Sequence, residues 1–216
     1  MILLLLGPPG AGKGTQGERL AARLGIPKIA TGDVLRAALR DGTPLGLEAK
    51  AAMDRGALVP DSVIMGIMQE ALAAPGAARG AILDGVVRTT PQAEGLAAML
   101  ATLGTPLDAV LLFEVDEEEL VRRLSGRTTC DACQRPHLGR APGGPCADCA
   151  HTPPGTLVRR KDDEPEAIRT RMQVYHDQTA PVVDWYAAHG ARMVPIDALG
   201  TLEEVEARVQ RGLGLA

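Results

Sequence analysis

The chain has 216 residues, a hydrophobic share of 45% and a formal net charge of −4 at pH 7. This length suits one core domain with insertions, and the acidic balance excludes an overall basic field that would attract nucleic acid. Aromatic residues are only 2% of the chain, too few for the stacking platforms of single-strand binding. The apolar start MILLLLG is too short for a signal peptide, and no stretch approaches the ~20 apolar residues of a membrane helix, so we expect a cytoplasmic protein without membrane contact.

The predicted elements alternate between strands and helices. Ile2–Leu6 is an unbroken apolar run that ends at Gly7, typical of a strand buried on both faces of a parallel sheet. Further apolar runs predict strands at 27–30, 81–83, 110–115 and 193–196. Helical spacing predicts helices at 15–24, 33–40, 61–74, 91–103, 116–124 and 165–189. The alternation predicts an α/β fold with a parallel five-stranded sheet flanked by helices.

Two segments interrupt this alternation. Residues 30–60 hold short helical pieces rich in Ala and Arg, and residues 126–163 hold the cysteines with several prolines and glycines. We therefore predict a core domain formed by residues 1–29, 61–125 and 164–216, carrying two insertions.

Residues 7–15 read GPPGAGKGT, which matches the phosphate-loop pattern between a predicted strand and a predicted helix. The glycines let backbone N–H groups turn toward phosphate oxygens, the helix N-terminus favours negative charge, and Lys13 adds a mobile cation. Gly14 stands where the pattern has Ser or Thr, so Thr15 is the nearest hydroxyl for a metal ion. The alternative is a Gly-rich turn with an ordinary lysine. The chain has no N-K-x-D segment of the kind that reads guanine.

Polar residues follow two other predicted strands, where ligands bind in open α/β sheets. Thr31 and Asp33 follow the second strand, and Asp33 either contacts a ligand or caps the next helix. Arg36 lies one turn further and could reach a phosphate. Asp84 ends the third strand, where a carboxylate can hold Mg²⁺, and Arg88 follows it.

Arginines are concentrated on both sides of the second insertion. They are Arg122, Arg123 and Arg127 before it, and Arg159, Arg160, Arg169 and Arg171 after it. The i,i+4 spacing predicts that Arg123 and Arg127 share a helix face, whereas Arg169 and Arg171 diverge so that only one points inward. Closing the insertion would bring several guanidinium groups onto one polyphosphate, the alternative being a solvated basic face.

Two further observations bear on the chemistry. Asp162 and Asp163 either pair with these arginines or cap the following helix. No His-Asp or Ser-His arrangement lies near the loop, which suits an acceptor that is itself a phosphate and needs no general base. A kinase that acts on a sugar or an alcohol would need a carboxylate as general base, and Asp33 is the only candidate for that role.

All four cysteines lie within the second insertion as two C-x-x-C pairs, Cys130 with Cys133 and Cys146 with Cys149. In a reducing compartment such pairs favour a metal over disulfides, and four thiolates form a closed, structural Zn²⁺ site. The alternatives are His137 or His151 in place of one cysteine, or a pair of disulfides.

These motifs resemble the adenylate kinase family in its long bacterial form, over nearly the whole chain. The similar segments are GPPGAGKGT at 7–15, ATGDVLR at 30–36, GALVPD at 56–61, DGVVRTTPQ at 84–92 and RKDD at 160–163, followed by Arg169, Arg171, Tyr175 and His176.

The resemblance implies transfer of a phosphoryl group from ATP to AMP, giving two ADP, with Mg²⁺, a structural Zn²⁺ and a monomeric protein. The implied ATP site is Gly10, Ala11, Gly12, Lys13, Gly14, Thr15, Arg127 and Gly200. The implied AMP site is Thr31, Arg36, Ala57, Leu58, Val59, Gly85, Val86, Val87, Arg88, Gln92, Arg160 and Arg171. The implied catalytic residues are Lys13, Asp84, Arg88, Arg123, Arg160 and Arg171. The insertions would be the moving AMP-binding segment and a lid whose closure excludes water.

One departure from the family is Val86-Val87, where the family has Phe-Pro with a commonly cis proline. A cis bond before a residue other than proline costs ~2.5–4 kcal/mol, so we predict a trans, reshaped loop without the ring that packs beside AMP. AMP should still bind, and comparing the activity with that of Val86→Phe/Val87→Pro tests whether the departure matters.

Two other functions compete with this hypothesis. A UMP/CMP kinase is the near rival, although Thr31 with Gln92 resembles the adenine-reading set. From another class, a zinc-ribbon module could bind nucleic acid with ATP as a switch, which the acidic balance argues against.

Overall fold

The computed structural model describes residues 1–215, apart from the side chains of residues 45 and 48. The described helices are α1 Lys13–Leu24, α2 Thr31–Arg40, α3 Pro44–Asp54, α4 Asp61–Ala73, α5 Thr90–Thr102, α6 Glu117–Ser125, α7 Pro165–Val174, α8 Ala180–Ala188 and α9 Leu202–Leu213. The described strands are β1 Ile2–Leu6, β2 Lys28–Ala30, β3 Ala81–Asp84, β4 Ala109–Glu114, β5 Arg127–Cys130, β6 Pro136–Leu138, β7 Leu157–Val158 and β8 Met193–Asp197.

The core is a five-stranded parallel sheet in the order β2-β3-β1-β4-β8, which confirms the predicted fold class. The central strand β1 is buried along its whole length. Its side chains alternate between two apolar clusters, with Leu3 and Leu5 on one face and Ile2, Leu4 and Leu6 on the other. Helices therefore cover both faces, as the unbroken apolar run predicted.

Two larger differences from the predicted helices lie in the C-terminal part of the chain. The segment predicted as one helix at 165–189 consists of α7, a π-helical turn Tyr175–Thr179 and α8. Helix α9 was not predicted, although its N-terminus carries a capping box in which Thr201 and Glu204 satisfy each other's backbone N–H groups. The T-x-x-E spelling of that box was the available signal.

Both insertions contribute residues to small apolar clusters, and only the cluster of the second insertion lies wholly within it. In the first, Leu35, Ala49 and Val59 pack with Ile64 and Ile67 of α4. The second contains a three-stranded antiparallel sheet in the order β6-β5-β7. Its cluster consists of Leu157 with Cys130 and Cys146, against which Cys133 and Cys149 pack. The domain boundaries at 30–60 and 126–163 stay a prediction. None of the helices described within residues 1–215 combines the length and the apolar character that crossing a membrane requires.

Candidate active site

The phosphate loop lies between β1 and α1 as predicted, and three of its glycines are required by the backbone conformation or by close packing. Gly10 and Gly12 have φ values of 87° and 89°, which only glycine adopts readily. Gly7 approaches β4 so closely that an added Cβ would lie 2.5 Å from the Phe113 carbonyl oxygen. Helix α1 begins at Lys13, two residues before the predicted start, so the positive helix end points directly into the loop.

The Lys13 side chain folds back onto the phosphate loop. Its Nζ donates to the carbonyl oxygens of Gly7 at 2.7 Å and Pro8 at 2.8 Å. Burial lowers the pKa of the amine to about 8, although the nearby Asp84 carboxylate acts in the opposite direction. The amine is thus held close to the phosphate position with its charge only partly satisfied.

This lowered pKa predicts a specific pH dependence. In the free protein Lys13 loses its charge as the pH rises through about 8, so we expect kcat/KM for ATP to fall there. Saturating ATP restores the positive charge, so kcat should stay level to higher pH. Initial rates across a pH series check this, with kcat/KM for AMP at saturating ATP as the control. A kcat/KM for ATP that stays level above the pKa of Lys13 would contradict the prediction.

One cavity of about 1160 Å³ gathers most of the predicted site. Its lining includes the phosphate-loop residues Gly10, Ala11, Gly12, Lys13, Gly14 and Thr15, then Arg36, Leu58, Asp84, Gly85, Val87, Arg88, Arg123, Arg127, Arg160, Arg171 and Gly200. Residues that sequence reasoning did not name also line it, among them Gln16 and, from the second insertion, Gln134, Arg135 and Leu138. The predicted residues that do not line it are Thr31, Ala57, Val59, Val86 and Gln92.

Two acidic residues hold the arginines beside the second insertion. Asp163 is fully buried and accepts from Arg127 at 2.5 and 2.7 Å and from Arg171 at 3.1 Å. Asp162 accepts from Arg171 at 2.9 Å. No side chain caps α7 at Glu164, so of the two alternatives for Asp162 and Asp163 the structure favours pairing over capping.

The arginine spacing was interpreted correctly after the insertion and wrongly before it. Arg171 points inward and Arg169 is exposed, as the two-residue spacing predicted. Arg123 and Arg127 do not share a helix face, because α6 ends at Ser125 and Arg127 begins β5. Both nevertheless line the cavity. Arg123 is held by Glu119 at 2.7 Å and by the Ala198 carbonyl at 2.9 Å.

Positive charge is crowded in this cavity. Burial lowers the pKa of Arg160 to about 9, and the positive charges of Arg36 and Arg127 act in the same direction. Burial likewise lowers the pKa of Arg171 to about 10 and lowers that of Arg88. These groups stay cationic at neutral pH, and an anion placed among them would relieve their mutual repulsion.

Asp33 and Arg36 form a local ion pair on α2. Their side chains meet at 2.5 Å, and Lys28 Nζ lies 3.3 Å from the other Asp33 oxygen. The N-cap of α2 is Ala30 and no side chain caps the helix, so the capping alternative for Asp33 is wrong. Burial acts to raise the pKa of Asp33, but Arg36 and Lys28 together outweigh it and lower the pKa.

The loop after β3 is braced from two sides. Thr31 Oγ1 donates to the Gly85 carbonyl at 2.8 Å, and Arg88 Nε donates to the same oxygen at 3.2 Å. Gln92 is buried, accepts from the Arg88 N–H at 2.7 Å and donates to Asp61 at 2.6 Å. Thr31 and Gln92 thus fix the backbone beside Arg88.

Val86 and Val87 are buried in the apolar cluster that contains Val182 and Tyr186. The only cis peptide bond within residues 1–215 joins Thr152 and Pro153, so this loop is trans, as expected. Val87 also lines the cavity, which keeps an aliphatic surface there without an aromatic ring.

The cysteine sulfur atoms are close enough for one metal ion. Cys130 and Cys149 Sγ lie 3.8 Å apart, Cys133 and Cys146 Sγ lie 3.9 Å apart, and the first, second and fourth sulfur atoms all lie within 4.8 Å of one another. Tetrahedral zinc–sulfur bonds of ~2.3 Å imply sulfur separations of about 3.8 Å. No disulfide joins the four cysteines. The backbone N–H of Cys133 points at Cys130 Sγ at 3.4 Å, as suits a thiolate. The donor set therefore fits a metal centre.

Comparison with known proteins agrees with this geometry. The adenylate kinase family model matches residues 5–191. The chain belongs to the adenylate kinase family. An adenylate kinase of Gemmatimonas aurantiaca is 74% identical over 216 residues, which cover 100% of both chains. Family members from Salinispora tropica and a Geobacter species are 50% and 48% identical, covering 96% and 95% of this chain and 95% and 96% of theirs.

Proposed function

We propose that the protein transfers the terminal phosphoryl group of ATP to AMP, giving two molecules of ADP. The observation that supports this best is the distribution of cations around one cavity. The phosphate loop with Lys13 lies on one side, and Arg88, Arg160 and Arg171 line the same space. Such a cavity suits two anionic nucleotides whose phosphate groups meet among the guanidinium groups.

The chemistry needs no general base. Asp33, the spare carboxylate that a sugar or alcohol kinase would use, is already engaged by Arg36 and Lys28. A phosphate acceptor is ionised near neutral pH, so catalysis consists of positioning and charge neutralisation. This arrangement favours a nucleoside monophosphate as the acceptor.

We assign the two nucleotides to the two sides of the cavity. The backbone N–H groups of the phosphate loop bind the ATP phosphates, and Lys13 exchanges its loop carbonyls for phosphate oxygens. Arg127 and the loop at Gly200 border the adenine of ATP. Arg36, Leu58 and Arg88 bind AMP on the other side. Arg123, Arg160 and Arg171 hold the phosphoryl group in transit.

Magnesium would enter with ATP. Asp84 lines the cavity at the end of β3, and an added Cβ on Gly14 would lie 3.2 Å from its Oδ2, so its carboxylate faces the start of α1. Asp84 and the Thr15 hydroxyl are oxygen donors of the kind Mg²⁺ prefers. The ion would neutralise charge on the β- and γ-phosphate oxygens.

The two insertions, residues 30–60 and 126–163, are proposed to close over the nucleotides and exclude water. The second insertion has a small apolar cluster of its own, whereas the first packs its apolar residues against α4. Since both nucleotide positions lie within one chain, a monomer suffices. The clustered thiols suit a reducing cytoplasm.

A coupled assay of ADP formation from ATP and AMP tests the proposal. AMP, UMP, CMP and GMP are compared as acceptors, and Lys13→Met serves as the inactive control. AMP should be accepted best. If UMP or CMP is preferred, the protein is a UMP/CMP kinase instead. Salt-sensitive nucleic-acid binding without any phosphotransfer would overturn the enzyme assignment.

For the cysteine cluster we propose a structural Zn²⁺ held by Cys130, Cys133, Cys146 and Cys149. Four thiolates leave no open coordination position, so the ion would not take part in the reaction. It would instead supplement a cluster in which Leu157 is the only buried residue other than the cysteines, among the residues described.

Removing this ion should destabilise the second insertion. A ligand at 100 times its Kd contributes ~2.7 kcal/mol, so thorough chelation should lower the melting temperature by about 5–11 °C. Hydrogen exchange should speed up within 127–158 and stay unchanged in β1. Unchanged melting and exchange after verified metal removal would contradict a structural ion, and Cys→Ser substitution at Cys133 should reproduce the chelator effect.

A further inference from the structure

His137 is a buried histidine beside the cysteine cluster, and none of the proposed nucleotide contacts uses it. It lies in the middle of β6, so its neighbours Pro136 and Leu138 point to the opposite face of the strand. Leu138 is accordingly 58% exposed, whereas His137 is only 8% exposed. Pairing of His137 with Thr128 of β5 fixes its place along the strand. The small sheet therefore holds the imidazole in one position inside the second insertion.

The imidazole contacts one particular cysteine. His137 Nε2 lies 3.3 Å from Cys146 Sγ, and both residues are buried. The other ring nitrogen, Nδ1, faces Asp148, whose Oδ2 is 3.6 Å away. A cysteine sulfur bound to Zn²⁺ is a thiolate and can only accept a hydrogen bond. With the ion bound, the bond must therefore run from the Nε2–H of the imidazole to the sulfur.

The two cysteine pairs differ in how their first sulfur atom is hydrogen-bonded. In the first pair, the backbone N–H of Cys133 donates to Cys130 Sγ at 3.4 Å. The corresponding N–H of the second pair, that of Cys149, donates instead to the Cys146 carbonyl oxygen at 3.3 Å. Among the residues described, the His137 imidazole is the only nitrogen group hydrogen-bonded to Cys146 Sγ. It thus takes the place that the backbone fills at the first pair.

We propose that His137 is a positioning residue of the metal site, which acts through Cys146 and sets how firmly the second insertion retains its Zn²⁺. This inference rests on the proposed Zn²⁺ site. Four thiolates around one divalent cation carry excess negative charge, and an N–H group aimed at a buried sulfur lowers the cost of that charge. Such outer partners of metal ligands also fix the orientation of the ligand that they contact.

Direct binding of His137 to the ion is the alternative, and the positions of the sulfur atoms disfavour it. Cys130, Cys133 and Cys149 contribute three sulfur atoms within 4.8 Å of one another, and Cys146 Sγ lies 3.9 Å from that of Cys133. The four sulfur atoms thus supply a complete tetrahedral set. The imidazole is left as the partner of one sulfur atom instead of the ion.

The Zn²⁺ affinity of the intact chain, measured by competition with a chromophoric chelator, tests the proposal. His137→Phe keeps a ring in the buried position and removes the N–H group, so it should weaken Zn²⁺ binding by ~10–100-fold. His137→Gln, whose amide nitrogen can reach the place of Nε2, should recover most of that loss. His151→Phe is the matched control, because His151 is an exposed histidine of the same insertion, and it should bind Zn²⁺ as wild type does.

Cobalt substitution separates the hydrogen bond from packing. Co²⁺ bound in place of Zn²⁺ gives a thiolate-to-metal charge-transfer band, and a hydrogen bond to the sulfur moves this band to higher energy. The band should therefore shift to lower energy in His137→Phe and return toward the wild-type position in His137→Gln. A change in packing would weaken binding without this pattern of shifts.

Several results would overturn the proposal. One is equal Zn²⁺ affinity in wild type and His137→Phe, and another is weaker binding without a shift of the cobalt band, which would reduce His137 to a packing residue. An equal loss of affinity in His151→Phe would show that the contact with Cys146 has no special weight. X-ray absorption that finds a nitrogen atom bound to Zn²⁺ would make His137 a ligand. Wild type that binds no Zn²⁺ would instead contradict the proposed Zn²⁺ site itself.

Discussion

Arg160→Met should lower kcat by about 10³-fold or more and leave the fold intact. Arg160 lines the cavity, and its Nε donates to Thr129 Oγ1 at 2.8 Å. This bond leaves the two terminal nitrogen atoms of the guanidinium group for other partners. Burial and neighbouring arginines lower its pKa to about 9, so the protein's own groups compensate its charge poorly. That positive charge becomes favourable when a phosphoryl group in transit carries negative charge beside it.

The same reasoning predicts a small effect on stability. Losing the bond to Thr129 costs about 1 kcal/mol, and relieving the crowding of cations offsets it. The free energy of unfolding should therefore stay within about 1 kcal/mol of wild type while activity collapses. Arg159→Met is the matched control, because Arg159 is exposed and its guanidinium donates only to the Ser125 carbonyl. Similar kcat values for the two variants would contradict a role for Arg160 in transfer.

Asp163→Asn should be among the most destabilising single changes in the chain. Asp163 is fully buried and is shared by Arg127 of β5 and Arg171 of α7. Removing one partner of a buried ion pair leaves uncompensated charge, which costs ~3–5 kcal/mol. Here two guanidinium groups would lose their common carboxylate. We expect denaturant unfolding at lower concentration, and faster hydrogen exchange in β5 and α7.

Asp162→Asn provides the comparison, because Asp162 is more exposed and pairs with Arg171 alone. Its loss should cost about 1 kcal/mol, and KM for nucleotides should change less than in Asp163→Asn. Equal destabilisation by the two variants would show that the shared, buried position of Asp163 has no special weight.

The predicted fold was accurate where local pattern and global fold agree. The apolar run of β1 and the glycines after it specify a buried parallel strand and a phosphate loop without reference to the rest of the chain. Helix α9 escaped prediction because it lies beyond the last predicted strand and only the capping box at Thr201 and Glu204 marks its start. The end of α6 before Arg127 was not predicted, because the i,i+4 argument assumes that the helix continues past Gly126.

The candidate site, too, has one part that the sequence predicts and another part that depends on tertiary packing. Asp84 ends β3, and Lys13 and Arg88 come after β1 and β3, so all three lie toward the carboxyl ends of neighbouring parallel strands, where the sequence analysis expected ligands to bind. The partners of Asp163 lie 36 and 8 residues away, and the Leu202 carbonyl that accepts from Gln16 lies 186 residues away. Contacts at such separations depend on how the elements pack, which no local pattern encodes.

By itself, then, the sequence determined the family, the phosphate loop, the set of arginines and the four-cysteine cluster, because each is written as residue types at short, fixed spacing. Only the tertiary structure decided which carboxylates hold those arginines, that Thr31 and Gln92 brace the loop beside Arg88, and that the His137 imidazole contacts the Cys146 sulfur. The physical reason is that a hydrogen bond or an ion pair requires atoms to approach within about 3–4 Å, and the folded chain sets that distance.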